Sequence, residues 1–236
     1  MKLSIIMPIF NEEKTLLTIL DRVKDVPLEK EIIIVDDCST DGTRDLLKKI
    51  DSENILISYH DTNEGKGAAV RSGLQHVTGD IIIIQDGDLE YDPADFPKLV
   101  QPILDEKTDV VYGSRALAKS PISYRRYNLG AKFITWVANL LYGLNLTDLW
   151  TCYKVIKKDV IVSLDLKCQR FEFCPEVTAK LSRMGHSILE LPISYHPRPF
   201  EEGKKIRWHD GLVGIWTLLR YRFWKGPERE MKRASS

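Results

Sequence analysis

The sequence predicts an α/β fold: an open, mostly parallel sheet with helices on both faces. Three observations carry this. Residues 3–7, 31–35 and 80–84 are short, nearly continuous apolar runs rich in isoleucine and valine, the pattern of strands buried on both faces. The stretches between them read as helices, and strand–helix alternation implies right-handed crossovers and a Rossmann-like sheet. The 236 residues are 43% hydrophobic and 29% charged, which is enough apolar material for a real core and excludes disorder.

Each element has a local reason. Residues 11–23 carry Leu16, Leu17, Ile19, Leu20 and Val23 at helical spacing. Residues 43–50 follow a Ser-Thr-Asp-Gly turn, 55–59 form a weaker strand, and 66–76 open a helix after Gly65. Residues 109–112 add a strand. Beyond them come a long helix at 124–144, a strand at 152–156, a helix at 175–184 ended by Gly185, a strand at 187–191 ended by Pro192, and a last helix at 206–224. There is no internal repeat. The expected division is one domain over 1–205, with 1–115 and 116–205 as its halves, and a C-terminal amphipathic helix and basic tail over 206–236.

Charge and composition exclude several classes. The 34 Lys and Arg balance the 34 Asp and Glu, whereas a general nucleic-acid binder is strongly basic. The four cysteines (38, 152, 168, 174) form no C-x-x-C pair and stand apart from the histidines, so reduced thiols are expected rather than disulfides or zinc. The N-terminal apolar run ends at Pro8, too early for a signal peptide. No stretch reaches the roughly 18 to 20 apolar residues of a membrane span. A cytoplasmic protein is expected.

Ligands of open parallel sheets bind beyond the carboxyl ends of the strands, where strand order switches. The first strand delivers Pro8-Ile9-Phe10-Asn11-Glu12 to that edge, the second Asp36-Asp37-Cys38-Ser39-Thr40-Asp41-Gly42, the third Gln85-Asp86-Gly87-Asp88. One such ending is ordinary turn and cap chemistry; three together point to a site. Asp86 and Asp88 repel unless a cation neutralises them, and hard divalent ions take oxygen ligands shared with substrate phosphates. Gly87 permits close approach, and Glu90 offers a third oxygen.

These segments, together with Asn63-Glu64-Gly65-Lys66-Gly67-Ala68-Ala69, resemble the inverting family 2 glycosyltransferases of the GT-A fold. The likeness is to the polyprenyl-phosphate (dolichol-phosphate) mannosyl- or glucosyltransferases and covers about residues 3 to 205. The resemblance implies roles. Pro8, Phe10, Asn11 and Glu12 line the base and ribose pocket, Asp37 with Asp36 beside it holds base or ribose, and Lys66 and Gly67 sit near the nucleotide. Asp86, Asp88 and Glu90, around Gly87, hold Mg²⁺ or Mn²⁺ against the diphosphate. Glu90 stands where some relatives have Gln, and Phe10 where relatives often have Tyr. The chemistry agrees, because a metal stabilises the charge that develops on leaving phosphates. Neither a P-loop nor a dinucleotide fingerprint is present.

A lipid phosphate is already anionic and needs positioning cations rather than a general base. Arg115 in Gly113-Ser114-Arg115, Arg125 and Arg126 before the long helix, and Arg198, Lys204, Lys205 and Arg207 in one loop supply them. The resemblance gives Arg115, Arg126, Arg198 and Lys205 this work beside the catalytic Asp88. Thr147-Asp148-Leu149-Trp150-Thr151-Cys152-Tyr153-Lys154 resembles the family's D-x-x-x-G-[FY]-K segment, with Cys152 where Gly is usual, and the resemblance implies that Asp148 helps orient the acceptor. If the acceptor is a hydroxyl on a glycan, lipid or protein, Asp148 or Glu172 is the base. Residues 197–236 hold ten Lys and Arg against five Asp and Glu, with Trp208, Leu212, Ile215, Trp216, Leu219 and Phe223 at helical spacing. This fits an interfacial helix on an anionic membrane, hence a peripheral enzyme at the cytoplasmic face, with a membrane partner protein as an alternative anchor. The rivals are a sugar nucleotidyltransferase, which carries a Gly-rich basic loop after its first strand, and a non-catalytic binding module, in which Asp88→Asn is harmless.

Overall fold

The computed structural model describes residues 1–118, 125–198 and 208–226, with backbone only at 125–128 and 208. In order, the elements are β1 (Leu3–Ile9), α1 (Leu16–Asp25), β2 (Lys30–Asp36), α2 (Thr43–Leu47), β3 (Ile55–Tyr59), α3 (Lys66–Leu74) and β4 (Ile81–Ile84). A 3₁₀ turn at Pro93–Asp95 leads to α4 (Phe96–Leu104), β5 (Val110–Ser114), α5 (Arg125–Tyr142), β6 (Lys154–Lys157), α6 (Lys158–Ser163), α7 (Phe173–Arg183), β7 (Leu189–Pro192) and α8 (Trp208–Tyr221).

One seven-stranded sheet runs β3-β2-β1-β4-β6-β5-β7. β1 pairs in parallel with both β2 and β4. β6 alone is reversed, antiparallel to both β4 and β5. The central strands are apolar because both their faces are covered. All four isoleucines of β4 are buried, as are Ile5, Ile6 and Met7 of β1, each side chain contributing about 1.5–3 kcal/mol on burial. β3 and β7, at the sheet edges, are only partly buried. α3 packs on β1 and β2, and α4 on β5 and β6.

Several boundaries differ from the sequence reading. α1 begins at Leu16 rather than near residue 11, because Asn11 takes a left-handed φ of 51° and the Glu12 carbonyl starts the helix by accepting from Leu16 N–H at 2.9 Å. Its buried face is Leu16, Ile19, Leu20 and Val23. α4 and α6 were not anticipated. Pro97 and Pro102 disguise α4, but proline suits a first helical turn, and Phe96, Leu99, Val100 and Ile103 bury one stripe.

The chain builds β1, β2 and β3 outward on one side, then returns to lay β4 on the other side of β1. That reversal leaves a crevice beyond the carboxyl ends of β1 and β4. α5 and α8 pack against each other and on α7.

Candidate active site

The exits of β1 and β2 are stitched into one wall. Asn11 N–H donates to Ser39 Oγ at 2.9 Å, Thr40 N–H donates to Asn11 Oδ1 at 2.8 Å, and Glu12 N–H donates to Thr43 Oγ1 at 2.9 Å. Asp36 is fully buried; it pairs with Arg44 Nε at 2.5 Å and accepts from Ser39 N–H. Arg44 also donates to the His60 carbonyl. Asp37 accepts from Glu64 N–H and Gly65 N–H, both at 2.8 Å, and meets His60 Nδ1 at 2.9 Å. His60 Nε2 is in turn 2.9 Å from Ser72 Oγ. The structure therefore gives this acidic pair architectural partners that brace the loop leading into α3. Gly65 needs its freedom there: φ is +98°, and a Cβ would meet the Gln169 carbonyl at 2.6 Å.

The crevice holds the acidic centre. Asp86, Gly87 and Asp88 leave β4 beside Glu12, whose neighbours Pro8 and Phe10 are half-buried. A Cβ on Gly87 would stand 2.5 Å from Ile9 Cδ1 and 3.2 Å from Glu12 Cγ, so only glycine lets these two strand exits touch. Lys66, at the start of α3 beside buried Gly67, places Nζ 2.5 Å from Asp86 Oδ1. Burial depresses the Lys66 ammonium, but Asp86 outweighs it and holds it charged. Arg198 bridges Glu12, at 3.1 and 3.3 Å, and Asp88 Oδ2, at 2.7 Å. Burial and the charge of Asp86 push the Asp88 carboxyl up to about 7, with Arg198 opposing. Glu90 faces the same segment: it accepts from Tyr195 OH and from Arg198 N–H, both at 3.0 Å.

Among the described residues no three His, Cys, Asp or Glu side chains converge as a ready metal cage. Asp86, Asp88 and Glu90 do not form one by themselves, because Glu90 is turned to Tyr195 and Arg198. The chemistry of the pair Asp86 and Asp88 nevertheless fits a hard divalent ion whose remaining positions go to phosphate oxygens and water, the arrangement magnesium favours. The buried Asp88 carboxylate and the half-buried Asp86 carboxylate repel each other, and such an ion relieves that repulsion.

Beyond β5 lies a second charged group. Arg115 grips Asp148 through Nε at 2.7 Å and Nη2 at 2.8 Å, while its backbone N–H adds a third bond at 3.1 Å. Burial opposes both charges, yet Arg115 holds the Asp148 carboxyl below its ordinary value, and Tyr91 and Asp148 hold the guanidinium above its own. Asp148 is thus ionised and fully engaged, which suits positioning better than proton abstraction. Tyr91 and Tyr195 flank the guanidinium at 5.9 and 5.2 Å. Glu172 accepts from Gln169 N–H at 2.8 Å and so closes a local turn. Arg126 opens α5, with its side chain outside the described residues, as are Lys204, Lys205 and Arg207.

Several contributors were missed by sequence reasoning: His60, Tyr91, Tyr195 and Glu190. Glu190 anchors the Asp148 turn by accepting from Thr147 N–H at 2.7 Å and Asp148 N–H at 3.0 Å. Its place between Leu189 and Leu191 on a half-buried edge strand was the available signal. The four cysteines are free, as expected.

Comparison with known proteins bears on this geometry. Residues 4–164 match the family described as Glycosyl transferase family 2. The chain is 27% identical to an undecaprenyl-phosphate mannosyltransferase of Micrococcus luteus, over 94% of this chain and 99% of that protein. It is 30% identical to a dodecaprenyl-phosphate galacturonate synthase of Rhizobium johnstonii, over 94% of this chain and 68% of the other. In three dimensions it superposes on glucosyl-3-phosphoglycerate synthase from Mycobacterium tuberculosis, crystallised with Mn²⁺, uridine diphosphate and phosphoglyceric acid. The TM-score is 0.71 at 20% identity, covering 94% of this chain and 78% of that one. That likeness is one of fold, and it identifies the sheet with its single reversed strand as GT-A. Sequence and fold agree: the chain belongs to glycosyl transferase family 2 and is a glycosyltransferase.

Proposed function

We propose that the protein moves a hexose, with inversion, from a nucleoside-diphosphate sugar of the GDP-mannose or UDP-glucose type to a polyprenyl phosphate. The observation that carries this reading is the meeting of Asp86, Asp88, Glu12, Lys66 and Arg198 at the β1–β4 switch, with Arg115 and Asp148 alongside. The donor half is residues 1–115 and the acceptor half 116–205. Pro8, Phe10 and Asn11 border the nucleotide, and Asp36 and Asp37 shape its wall. Asp86 and Asp88 would hold Mg²⁺ or Mn²⁺, with Glu90 available once it leaves Tyr195, and the ion would supply positive charge to the leaving diphosphate.

The chain's own part is positional. Lys66 stands where a diphosphate oxygen can replace Asp86 as its partner. Arg115, fixed by Asp148, presents a rigid cation to the acceptor phosphate, with Arg126, Arg198 and Lys205 completing that group. An acceptor phosphate oxygen attacks C1 of the sugar from the face opposite the diphosphate. The C1–O bond breaks, its electron pair leaves with the nucleoside diphosphate, and no proton must be removed. The lowered proton affinity of Asp148 favours this over a hydroxyl acceptor.

A lipid acceptor requires contact with a bilayer. α5 exposes Leu129, Phe133, Trp136 and Leu140, and α8 exposes Leu212, Trp216 and Leu219, a stripe that continues to Phe223. No helix of the described residues is long and apolar enough to cross a membrane. Two adjoining apolar stripes beside Lys132, Arg220, Arg222 and Lys225 suit the interface of an anionic membrane, which would place the enzyme peripherally at its cytoplasmic face. Trp216→Ser with Phe223→Ser is expected to lower co-sedimentation with phosphatidylglycerol vesicles at least fivefold while leaving the melting temperature within a few degrees.

The deciding experiment is turnover. Purified protein is given Mg²⁺ or Mn²⁺, a panel of GDP- and UDP-sugars, and a short polyprenyl phosphate. A glycolipid from one donor, lost in Asp88→Asn, supports the reading. Metal-dependent nucleotide binding without lipid product at any donor transfers the weight to a hydroxyl acceptor.

A further inference from the structure

Arg198 occupies an unexpected position. The sequence assigned it to the acceptor phosphate, yet its guanidinium lies between Glu12 and Asp88 on the donor side. The segment before it is zipped antiparallel along the residues after β4: Tyr91 bridges Tyr195, and His196 N–H donates to the Glu90 carbonyl at 2.8 Å. Tyr195 OH and Arg198 N–H then both bind the Glu90 carboxylate. Among the described residues, the polar contacts of Arg198 are therefore made with Glu12, Asp88 and Glu90. Glu12 lies 186 residues away in sequence and Asp88 lies 110, so tertiary packing alone brings them together.

A guanidinium and a divalent ion satisfy the same carboxylates by the same electrostatics, and they cannot share Asp88 Oδ2. We infer that Arg198 is a placeholder cation that holds the acidic centre together before the donor arrives, and that metal-bound donor displaces it toward the acceptor phosphate. The inference rests on the transfer reaction proposed above and deepens it: the acceptor cation becomes available only after the donor is seated. Binding is ordered, donor before lipid phosphate. An ion entering at Asp88 and Glu90 removes the Asp88 bond to the side chain of residue 198 and the Glu90 bond to its backbone, and leaves Glu12 as its remaining partner. The carboxylates face a cation before and after the exchange: the singly charged guanidinium gives way to a divalent ion whose extra charge is met by the donor's diphosphate.

Direct binding tests this without turnover. Mn²⁺ binding is measured by electron paramagnetic resonance on wild type, Arg198→Met and Arg198→Lys, with thermal melts confirming folding. Removing the competing cation is expected to tighten Mn²⁺ binding about tenfold in the absence of nucleotide, equivalent to about 1.4 kcal/mol. Arg198→Lys, which keeps the charge but loses the bridging fork, falls between. In wild type, farnesyl phosphate is expected to bind tighter when Mn²⁺ with UDP or GDP is present, and Arg198→Met abolishes that gain. Unchanged or weaker Mn²⁺ binding in Arg198→Met overturns the placeholder role. So does farnesyl phosphate binding that ignores the nucleotide in wild type. If Arg198→Met does not fold, the lysine variant and the wild-type farnesyl phosphate measurement decide. Glycolipid formation by wild type keeps the transfer reaction standing whichever way these results fall.

Discussion

Glu31, at the start of β2, predicts how the fold responds to acid. Its carboxylate accepts from Lys2 Nζ and Ser4 Oγ at 2.6 Å, Thr78 N–H at 2.7 Å, Thr78 Oγ1 at 2.5 Å and Gly79 N–H at 3.1 Å. One side chain thus ties β1, β2 and the turn into β4. Burial pushes the Glu31 carboxyl up, but hydrogen bonds from Lys2, Ser4 and Thr78 outweigh it and hold it down at about 2, against an ordinary 4.5. A depressed carboxyl stabilises the fold fully above the unfolded value, and that contribution fades as pH falls from about 4.5 toward 2. At about 1.4 kcal/mol per tenfold change, the full effect is about 3 kcal/mol at pH 7. Lys2 is 34% exposed, so solvent screening reduces this to about 2 kcal/mol. Glu31→Gln should therefore lower urea-unfolding stability by about 2 kcal/mol at neutral pH. The gap between wild type and variant should narrow as pH falls below about 4.5 and close near pH 2. Nucleotide affinity should stay unchanged, because Glu31 lies at the opposite ends of the strands from the crevice. A gap that is constant with pH, or below about 0.5 kcal/mol at pH 7, refutes the reasoning.

Other outcomes follow from the same geometry. Gly87→Ala drives a methyl into Ile9 and Glu12, so calorimetry should show a loss of about 1–3 kcal/mol and Mn²⁺ titration a weakened site. Asp148→Asn leaves Arg115 buried with half its partner; a cost of about 3 kcal/mol and a transfer rate reduced at least tenfold are expected, measured by unfolding and product assay. Lys180 and Glu176, each 1% exposed and 2.6 Å apart, lie under Tyr221 and Trp224. Lys180→Met should cost about 3 kcal/mol and expose α8 to limited proteolysis.

The unanticipated elements share a cause. α4 was hidden because proline reads locally as a breaker, whereas Pro97 falls in a first turn where no N–H is needed. The late start of α1 follows from Glu12 N–H being taken by Thr43, 31 residues on. Asp36 and Asp37 read alike in sequence, yet one faces Arg44 and the other caps the Glu64–Gly65 turn.

The strands, the acidic residues at their carboxyl ends and the family were all legible along the chain, because burial on two faces writes itself as unbroken apolar runs and strand exits follow directly. The reversed β6 between β4 and β5, the grip of Arg115 on Asp148, the reach of Arg198 to Glu12 and the packing of α5 against α8 were decided only in three dimensions. Those features depend on which distant segments become neighbours, and that choice is made by the packing of the whole sheet, not by the periodicity of any one segment.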